Sequence, residues 1–195
     1  MGLAALKLRR AMVRPDRDLL DGVVELDQSF LGGQSKGKKG GSSDKVPVTI
    51  AVERTPRGRL GRVRLERAEA PGALDMIEFA SEVVAPGATI HTDGARMFTR
   101  LADRGYVHHA TRGYKTADLD AVMPGPHLVS CLLKRWIAGT LHYRLSHRHM
   151  PYYLDEFTFR FNRRNSRARG MLFYRLLQQA VDTDPHPLKE LIHGH

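Results

Sequence analysis

Three residues of this sequence have the chemistry and the setting to act on a phosphodiester: Asp27, Asp93 and His127. Asp27 ends a predicted strand core shortly before the pair Gly32-Gly33, and Asp93 ends a short predicted strand in the segment HTDG. Two divalent metal ions about 4 Å apart can activate the attacking oxygen and stabilise the leaving one. Magnesium is usually held by one or two carboxylates with substrate phosphate. The two aspartates are therefore candidate magnesium ligands.

His127 begins a predicted helix, HLVSCLLKRWIAGTLH, and Lys134 follows it by seven residues. Seven residues make about two turns, or roughly 10 Å of rise, so both side chains lie on one face. Imidazole suits transition metals better than magnesium. His127 could bind a metal, hold a metal-bound water or donate a proton, and Lys134 suits a nearby phosphate.

Each of these residues also has an ordinary structural interpretation. A single aspartate at a strand end is often a turn or capping residue, His127 could cap the helix after Pro126, and Lys134 could be a surface lysine. The rest of this helix predicts a buried stripe at helical spacing, with Ser130 on the face of His127 and Lys134. The stripe consists of Leu128, Val129, Leu132, Leu133, Trp136 and Ile137.

The elements that must position these residues follow from periodicity and from turn residues. In the N-terminal half the sequence predicts a basic helix over 3–13, a strand at 23–27 and a hairpin of 46–54 with 60–68. A helix over 72–84, a strand at 88–93, a helix over 95–105 and a strand at 106–111 follow. The last predicted elements are helices over 127–142, 147–162 and 168–181. Three strands, helix, strand, helix, strand, helix is the order of a ribonuclease H-like α/β fold, a mixed sheet flanked by helices, here with extra C-terminal helices. In that layout Asp27, Asp93 and His127 converge at the middle of the sheet.

Composition narrows the class of protein. The chain has 195 residues, enough for one ordinary domain, and no run of 18 apolar residues that would predict a membrane span. Its net charge of +10 favours a polyanionic partner, most often nucleic acid. The single cysteine, Cys131, excludes an internal disulfide and is interpreted as a small helix residue. The expected location is the bacterial cytoplasm, associated with the nucleoid.

Four segments together resemble the transposases of the insertion sequence 1595 family, which carry an ISXO-like DDE transposase domain. The resemblance covers about residues 8 to 182 and is carried by VVELDQSFLGGQSKGKKGG, IHTDGARMF, HLVSCLLKRWIAGTLH and YYLDEFTFRFNRRNSRARGMLFYRLLQQAV. It implies a ribonuclease H-like domain that cuts and joins DNA with bound magnesium, manganese being possible, and that acts as a homo-oligomer in the synaptic complex.

The resemblance also implies roles for particular residues. Asp27 and Asp93 match the family's two aspartate motifs, and His127 falls on its variable third position, followed by Lys134 seven residues later. This implies a metal site of Asp27, Asp93 and His127 with Lys134 as a catalytic companion. Residues expected to contact the DNA backbone lie in the 34–45 loop, on the same helix and in FRFNRR; they are Lys36, Lys38, Lys39, Lys134, Arg135, Arg160, Arg163 and Arg164. By composition alone the loop is a solvated linker, and each arginine could equally stabilise nearby acids on a solvated helix face.

Two features depart from the family pattern. Gln28 stands where the family usually has glutamate, although neighbours on a strand point to opposite faces, so Gln28 need not touch the metals. The family also carries an N-terminal cysteine-rich segment and a helix-turn-helix, and LKLRRAMVR resembles the last helix of that region. We therefore expect 1–20 to be a remnant of an N-terminal DNA-binding region, 21–182 the catalytic domain and 183–195 a tail.

The sequence thus predicts a DNA transposase that cleaves phosphodiesters and transfers strands with a bound divalent metal, of the DDE type in a variant with His127 and Lys134. Two alternatives stay open at this point. One is a catalytically silent remnant that binds DNA without sequence preference, and the other is a nuclease of the same fold.

Overall fold

A computed structural model describes the chain at residues 3–14, 17–32, 45–69, 72–93, 98, 100–111, 123–141, 147–184 and 187. Its described strands are β1 (Val23–Leu31), β2 (Val46–Arg54), β3 (Leu60–Arg67), β4 (Thr89–Thr92) and β5 (Val107–Ala110). Its described α-helices are α1 (Leu3–Arg10), α2 (Ala73–Val83), α3 (Arg100–Asp103), α4 (Pro124–Leu141), α5 (Met150–Asn162) and α6 (Gly170–Asp182). The predicted order of elements is confirmed through the fifth strand and the helix that follows it.

The five strands form one mixed sheet in the order β3-β2-β1-β4-β5. β2 is antiparallel to both β1 and β3, whereas β4 is parallel to β1 and β5 is parallel to β4. The hairpin at TPRGR connects β2 to β3, and Gly58 adopts a positive φ of 70° in that turn. This mixed five-stranded sheet with flanking helices is the ribonuclease H-like fold that the element order predicts.

Alternation along β1 separates the two faces of the sheet. Val24 and Leu26 are fully buried and join the main core cluster with Ile90 of β4 and residues of α2. Burying such a side chain stabilises the fold by roughly 1.5 to 3 kcal/mol. Glu25 and Asp27 point to the opposite face, on which α4 packs against β1 and β2. Asp27 therefore lies on the helix-covered side of the sheet, away from the main apolar core.

Helix α4 begins earlier than predicted, at Pro124 instead of His127. Val129, Leu133 and Ile137 are buried as its periodicity predicts. Two parts of the predicted pattern are wrong: Leu128 is 47% exposed, and Ser130 is buried. The reason is that the helix turns its 125–126–129–130–133–137 face to the sheet, where Ser130 finds a polar partner on β1.

The chain divides into two compact units, residues 19–145 and residues 1–18 with 146–195. The first contains the sheet with α2, α3 and α4. In the second, α1 packs on α5 and α6, and Ala11, Phe159 and Leu176 form a small core cluster. A 3-10 turn, His147–His149, precedes α5 where the sequence pattern predicts one continuous helix from 147. The expected boundaries at 20/21 and 182/183 stay a prediction.

Candidate active site

The candidate active site starts from the register between two parallel strands of the sheet. Val23 of β1 lies beside Thr89 of β4, and Glu25 lies beside His91. Continuing this register by two positions puts Asp93, the first residue after β4, level with Asp27. Neighbouring strands are about 4.8 Å apart, and residues level with one another point to the same face. The two aspartates are thus brought together by strand pairing, although 66 positions of sequence separate Val23 from Thr89 and likewise Asp27 from Asp93.

Asp27 is half-buried, and its carboxylate is influenced by both other candidate residues. Burial is the main cause that raises the pKa of Asp27 above its usual 3.8, and the negative charge of Asp93 raises it further. A hydrogen bond of 2.7 Å that the Gln28 backbone N–H donates to Asp27 Oδ1 opposes this rise, as does the positive charge of His127. The structure therefore brings both Asp93 and His127 within electrostatic range of Asp27, and both of these residues are exposed.

His127 lies near Asp27 because the first turn of α4 is hydrogen-bonded to β1. The Gly125 N–H donates a hydrogen bond of 2.7 Å to Glu25 Oε2, and one turn further on Ser130 Oγ lies 2.6 Å from Ser29 Oγ. Glu25 and Ser29 flank Asp27 at positions i−2 and i+2, so all three share one face of the strand. Sequence reasoning did not single out Glu25, although its spacing of two from Asp27 was a usable signal.

Lys134 and Arg135 are exposed on α4, and Lys134 follows His127 by two turns as predicted from the spacing. The predicted loop lysines, Lys36, Lys38 and Lys39, lie outside the described residues. Gln28 lies level with Thr49 of β2 on the face opposite Asp27, and its side-chain Nε2 is buried with no hydrogen-bond partner among the described residues. A neutral amide there is less costly to bury than the carboxylate of a glutamate.

A pair of histidines on the same face of the sheet was not predicted. His91 of β4 lies level with His109 of β5, and their ring centroids are 5.1 Å apart. Burial is the main cause that lowers the pKa of His91, and the neighbouring histidines lower it further. Within the part of the chain that the structure describes, no three histidine, cysteine, aspartate or glutamate side chains form a group that could hold a metal ion by themselves.

The arginines predicted to contact DNA lie at the end of α5 and differ in their partners. Arg160 Nη2 forms an ion pair of 2.8 Å with Glu156 Oε1. Arg164 lies over the ring of Phe161, with its guanidinium carbon 4.0 Å from the ring centroid, and donates a hydrogen bond to the Phe161 carbonyl. These two guanidinium groups are therefore already held by contacts within the chain.

Arg163 lies over the Phe159 ring, its guanidinium carbon 3.9 Å from the centroid, in a cluster of like charges. Burial lowers the pKa of Arg163, and repulsion by Arg14 and Arg175 lowers it further. Among the described residues, no carboxylate forms an ion pair with Arg14, Arg163 or Arg175. Arg14 and Arg175 were not predicted, because they come from elements that only the tertiary structure brings together.

The sequence model of the ISXO2-like transposase domain matches residues 19–162. Among curated proteins, none matches this chain in sequence. Of the helices in the described residues, none is long and apolar enough to cross a membrane.

Solved structures with a similar arrangement include the catalytic core domain of BIV integrase, with a TM-score of 0.48 and 13% identity over 83% of this chain and 97% of that chain. The Mos1 strand transfer complex gives a TM-score of 0.43 and 11% identity over 96% of this chain and 64% of that chain. The Mos1 transposase paired-end complex with left transposon end gives a TM-score of 0.40 and 13% identity, over 93% of this chain and 63% of that chain. This chain thus spans less than two thirds of the Mos1 chains.

Proposed function

The chain belongs to the ISXO2-like transposase domain family, and from that membership we propose that it cleaves and joins DNA in transposition, with Asp27, Asp93 and His127 as the catalytic centre. The observation that carries the proposal is the parallel register of β1 and β4, which puts Asp93 level with the half-buried Asp27 on the face of the sheet against which the helix that carries His127 packs. The charges of Asp93 and His127 both act on the pKa of Asp27. Perturbed carboxylates that face a second carboxylate and an imidazole are typical of functional sites.

The donor set of this site fits a divalent metal ion. Asp27 and Asp93 would supply two carboxylate ligands, and a bound cation would offset the repulsion that raises the pKa of Asp27. Two carboxylates match the usual protein share of a magnesium site, in which phosphate and water complete the coordination. Magnesium is the proposed ion, with manganese as the alternative that an imidazole ligand favours.

The residues of the chain would divide the work of the reaction. When bound, divalent ions activate the attacking oxygen and stabilise the leaving oxygen of the phosphodiester. Asp27 must be ionised, and the Gln28 N–H restrains its carboxylate through a hydrogen bond to Oδ1. His127 either completes the ligand set or holds and moves the proton of the attacking water. Attack of water on a phosphodiester at the transposon end breaks the bond between phosphorus and the 3′ oxygen, which takes up a proton and becomes a free 3′-hydroxyl. That hydroxyl then attacks a phosphodiester of the target DNA and displaces the target's own 3′ oxygen, while Lys134 would steady a phosphate as a point charge.

The proposed partner is DNA, bound through its phosphate backbone. The net charge of +10 supports this partner. On α4, Lys134 and Arg135 are exposed on the helix that carries His127. In the other unit, Arg163 with Arg14 and Arg175 forms a cationic cluster without described ion-pair partners, and Arg160 and Arg164 would contribute less because they already have intramolecular partners.

We also propose that the chain assembles with further copies of itself, since two transposon ends must be joined in concert. What supports this is the outer face of α6, where five large apolar or aromatic side chains are exposed: Met171, Phe173, Tyr174, Leu177 and Val181. Phe173, Leu177 and Val181 recur at a spacing of four and form one line on the helix. Contiguous exposed apolar side chains often mark a protein interface.

Strand transfer by the purified chain tests the catalytic proposal. The substrate is a labelled duplex made from the DNA that flanks the reading frame, with a supercoiled plasmid as target and magnesium or manganese present. We expect metal-dependent nicking and joining by the wild type, and a loss of at least about 100-fold in Asp27→Ala and Asp93→Ala. Asp103→Ala is the matched control, because Asp103 is an exposed aspartate at the end of α3.

The pattern of results also separates the alternatives. Full activity in either Asp27→Ala or Asp93→Ala would contradict the assignment of the site. Nicking without joining would indicate a nuclease of the same fold. DNA binding that is equal with and without magnesium, together with no nicking, would indicate a silent remnant.

A further inference from the structure

Glu25 is a buried acid that the proposed reaction does not use. It is only 3% exposed, on β1, two residues before Asp27. A buried carboxylate is unfavourable unless it is hydrogen-bonded and paired with a positive charge. Glu25 has both kinds of partner: Oε2 accepts the Gly125 N–H at 2.7 Å, and Oε1 lies 3.4 Å from Arg54 Nε.

The contact with Gly125 is made at the first turn of α4. The first N–H groups of a helix have no partner within the helix, and they attract negative charge. Gly125 N–H is one of these groups, and its residue lies two positions before His127. Glu25 therefore ties the start of the helix that carries His127 to the strand that carries Asp27.

Gly125 permits this contact because it has no side chain. A Cβ atom built at Gly125 would overlap Glu25 Oε2 and would lie 3.1 Å from Cγ1 of Val52 on β2. Any larger residue would thus displace the Glu25 carboxylate from its contact or move the start of α4 away from the sheet. Ser130 Oγ, 2.6 Å from Ser29 Oγ, holds the next turn of the helix to the same strand face.

We propose that Glu25 is a positioning residue for the site: its carboxylate, clamped by Arg54, holds the first turn of α4 through Gly125 so that His127 faces Asp27. This inference rests on the proposed function, because the positioning matters only if Asp27 and His127 act together. Glu25 lies two residues from Asp27 on the strand, and Gly125 lies two residues from His127 on the helix. A displacement at the Glu25–Gly125 contact would consequently move His127 relative to Asp27.

The test compares Glu25→Ala, Glu25→Gln and Glu53→Gln in the full chain. Glu25→Gln keeps an acceptor for the Gly125 N–H, so it serves as the conservative variant. Glu53→Gln is the matched control, because Glu53 is also a partly buried, arginine-paired glutamate of the sheet, but it pairs with Arg62 and not with α4. The measurements are hydrogen exchange of the amides of Gly125 and of 127–130 without metal, kcat in the strand-transfer assay, and DNA affinity.

We expect Glu25→Ala to lose protection at the first turn of α4 and to lower kcat by about 10- to 100-fold with less than a threefold change in DNA affinity. Glu25→Gln should restore most of the protection and most of kcat. Glu53→Gln lowers the stability of the whole sheet, so it should leave kcat unchanged and should lower protection at the first turn of α4 no more than elsewhere in the sheet. Unchanged protection in Glu25→Ala would overturn the proposal, and so would lost protection with an unchanged kcat. If the wild type itself shows no metal-dependent cleavage, the proposed function fails and the positioning role fails with it, whereas the exchange data then describe a purely structural contact.

A second pair of variants covers the case in which Glu25→Ala does not fold. Gly125→Ala adds the Cβ that overlaps Glu25 Oε2, and Glu25→Asp shortens the acid by one methylene. We expect Gly125→Ala alone to lower kcat by about tenfold and the double variant Glu25→Asp/Gly125→Ala to recover at least half of the lost activity. Additive losses in the double variant would show that the two residues do not act through this contact.

Discussion

At the scale of single residues, the proposed metal ligand Asp27 has a carboxylate whose ionised form is disfavoured by its position in the fold. Burial and the charge of Asp93 both raise its pKa, so the ionised form that would bind metal is disfavoured in the folded protein without metal. A carboxyl whose pKa is raised by folding contributes more to stability when it is protonated, and this contribution is lost as pH rises through the folded-state pKa. Functional sites often retain such unfavourable groups.

Replacing Asp27 by asparagine should therefore stabilise the metal-free protein while abolishing strand transfer. Asparagine keeps the oxygen that accepts the Gln28 N–H and removes the charge that faces Asp93. We expect the free energy of unfolding to rise by a few tenths of a kcal/mol to about 1 kcal/mol at pH about 7, with a loss of at least about 100-fold in activity. Urea unfolding with EDTA present measures the first quantity. A less stable Asp27→Asn protein would show that the carboxylate is a structural group.

At the scale of secondary-structure elements, Glu53 of β2 connects its strand to β3 and to the residues that precede β1. Its carboxylate accepts hydrogen bonds from the backbone and side chain of Arg62 on β3 and from the backbone of Asp21. Burial alone would raise the pKa of Glu53, but the bonds from Arg62 and Asp21 together hold it below the usual 4.5. The ionised Glu53 thus contributes to stability above pH 4.5, and this contribution is lost as pH falls through the lowered pKa.

We expect Glu53→Gln to unfold more readily than the wild type by roughly 1.5 to 3 kcal/mol near neutral pH. The difference should shrink as pH falls below 4.5, because the wild-type carboxyl then becomes protonated and loses the same interactions. Denaturant midpoints of both proteins at a series of pH values measure this. A difference that is constant with pH would argue against an electrostatic origin.

The end of α5 provides a second test at this scale. Arg160 and Arg163 lie three residues apart, but Arg160 is paired with Glu156, whereas Arg163 is repelled by Arg14 and Arg175. We expect Arg163→Ala to weaken binding to a random duplex several-fold and to reduce the slope of log affinity against log salt by about 0.9, the value for one phosphate contact. Arg160→Ala should change both quantities much less. Fluorescence anisotropy across a salt series measures them, and an equal or larger effect of Arg160→Ala would contradict the ranking.

At the scale of the whole molecule, the exposed line of Phe173, Leu177 and Val181 on α6 predicts self-association. Phe173 is 65% exposed and Val181 is 84% exposed. We expect Phe173→Asp to weaken assembly by at least about tenfold, because the new charge would be buried between copies. Sedimentation equilibrium with and without DNA measures this, and Asn165→Asp controls for the added charge at an exposed position outside α6. Identical association of the wild type and Phe173→Asp would exclude this face as the interface.

The sequence by itself determined the kinds and order of elements in the sheet. The alternation of apolar and polar residues in β1 to β3 and turn residues such as Gly58 depend only on neighbours in the sequence. It also identified Asp27, Asp93 and His127 as candidates, because they follow from strand ends, a helix start and motif resemblance. The burial of α4 could be predicted only in part: Leu128 and Ser130 exchange their expected environments, since a serine can be buried wherever a partner such as Ser29 meets it.

Only the tertiary structure decided which distant groups meet. The parallel register of β1 and β4 puts Asp93 level with Asp27, and the Glu25–Gly125 bond spans 100 residues of sequence. The cluster of Arg14, Arg163 and Arg175 likewise needs the packing of α1 and α6. The physical reason is that periodicity records which face of an element is apolar, whereas hydrogen bonds and charges between elements depend on register and on close approach. HLVSCLLKRWIAGTLH predicts a helix with His127 on its polar face; strand pairing and one buried glutamate determine what that histidine faces.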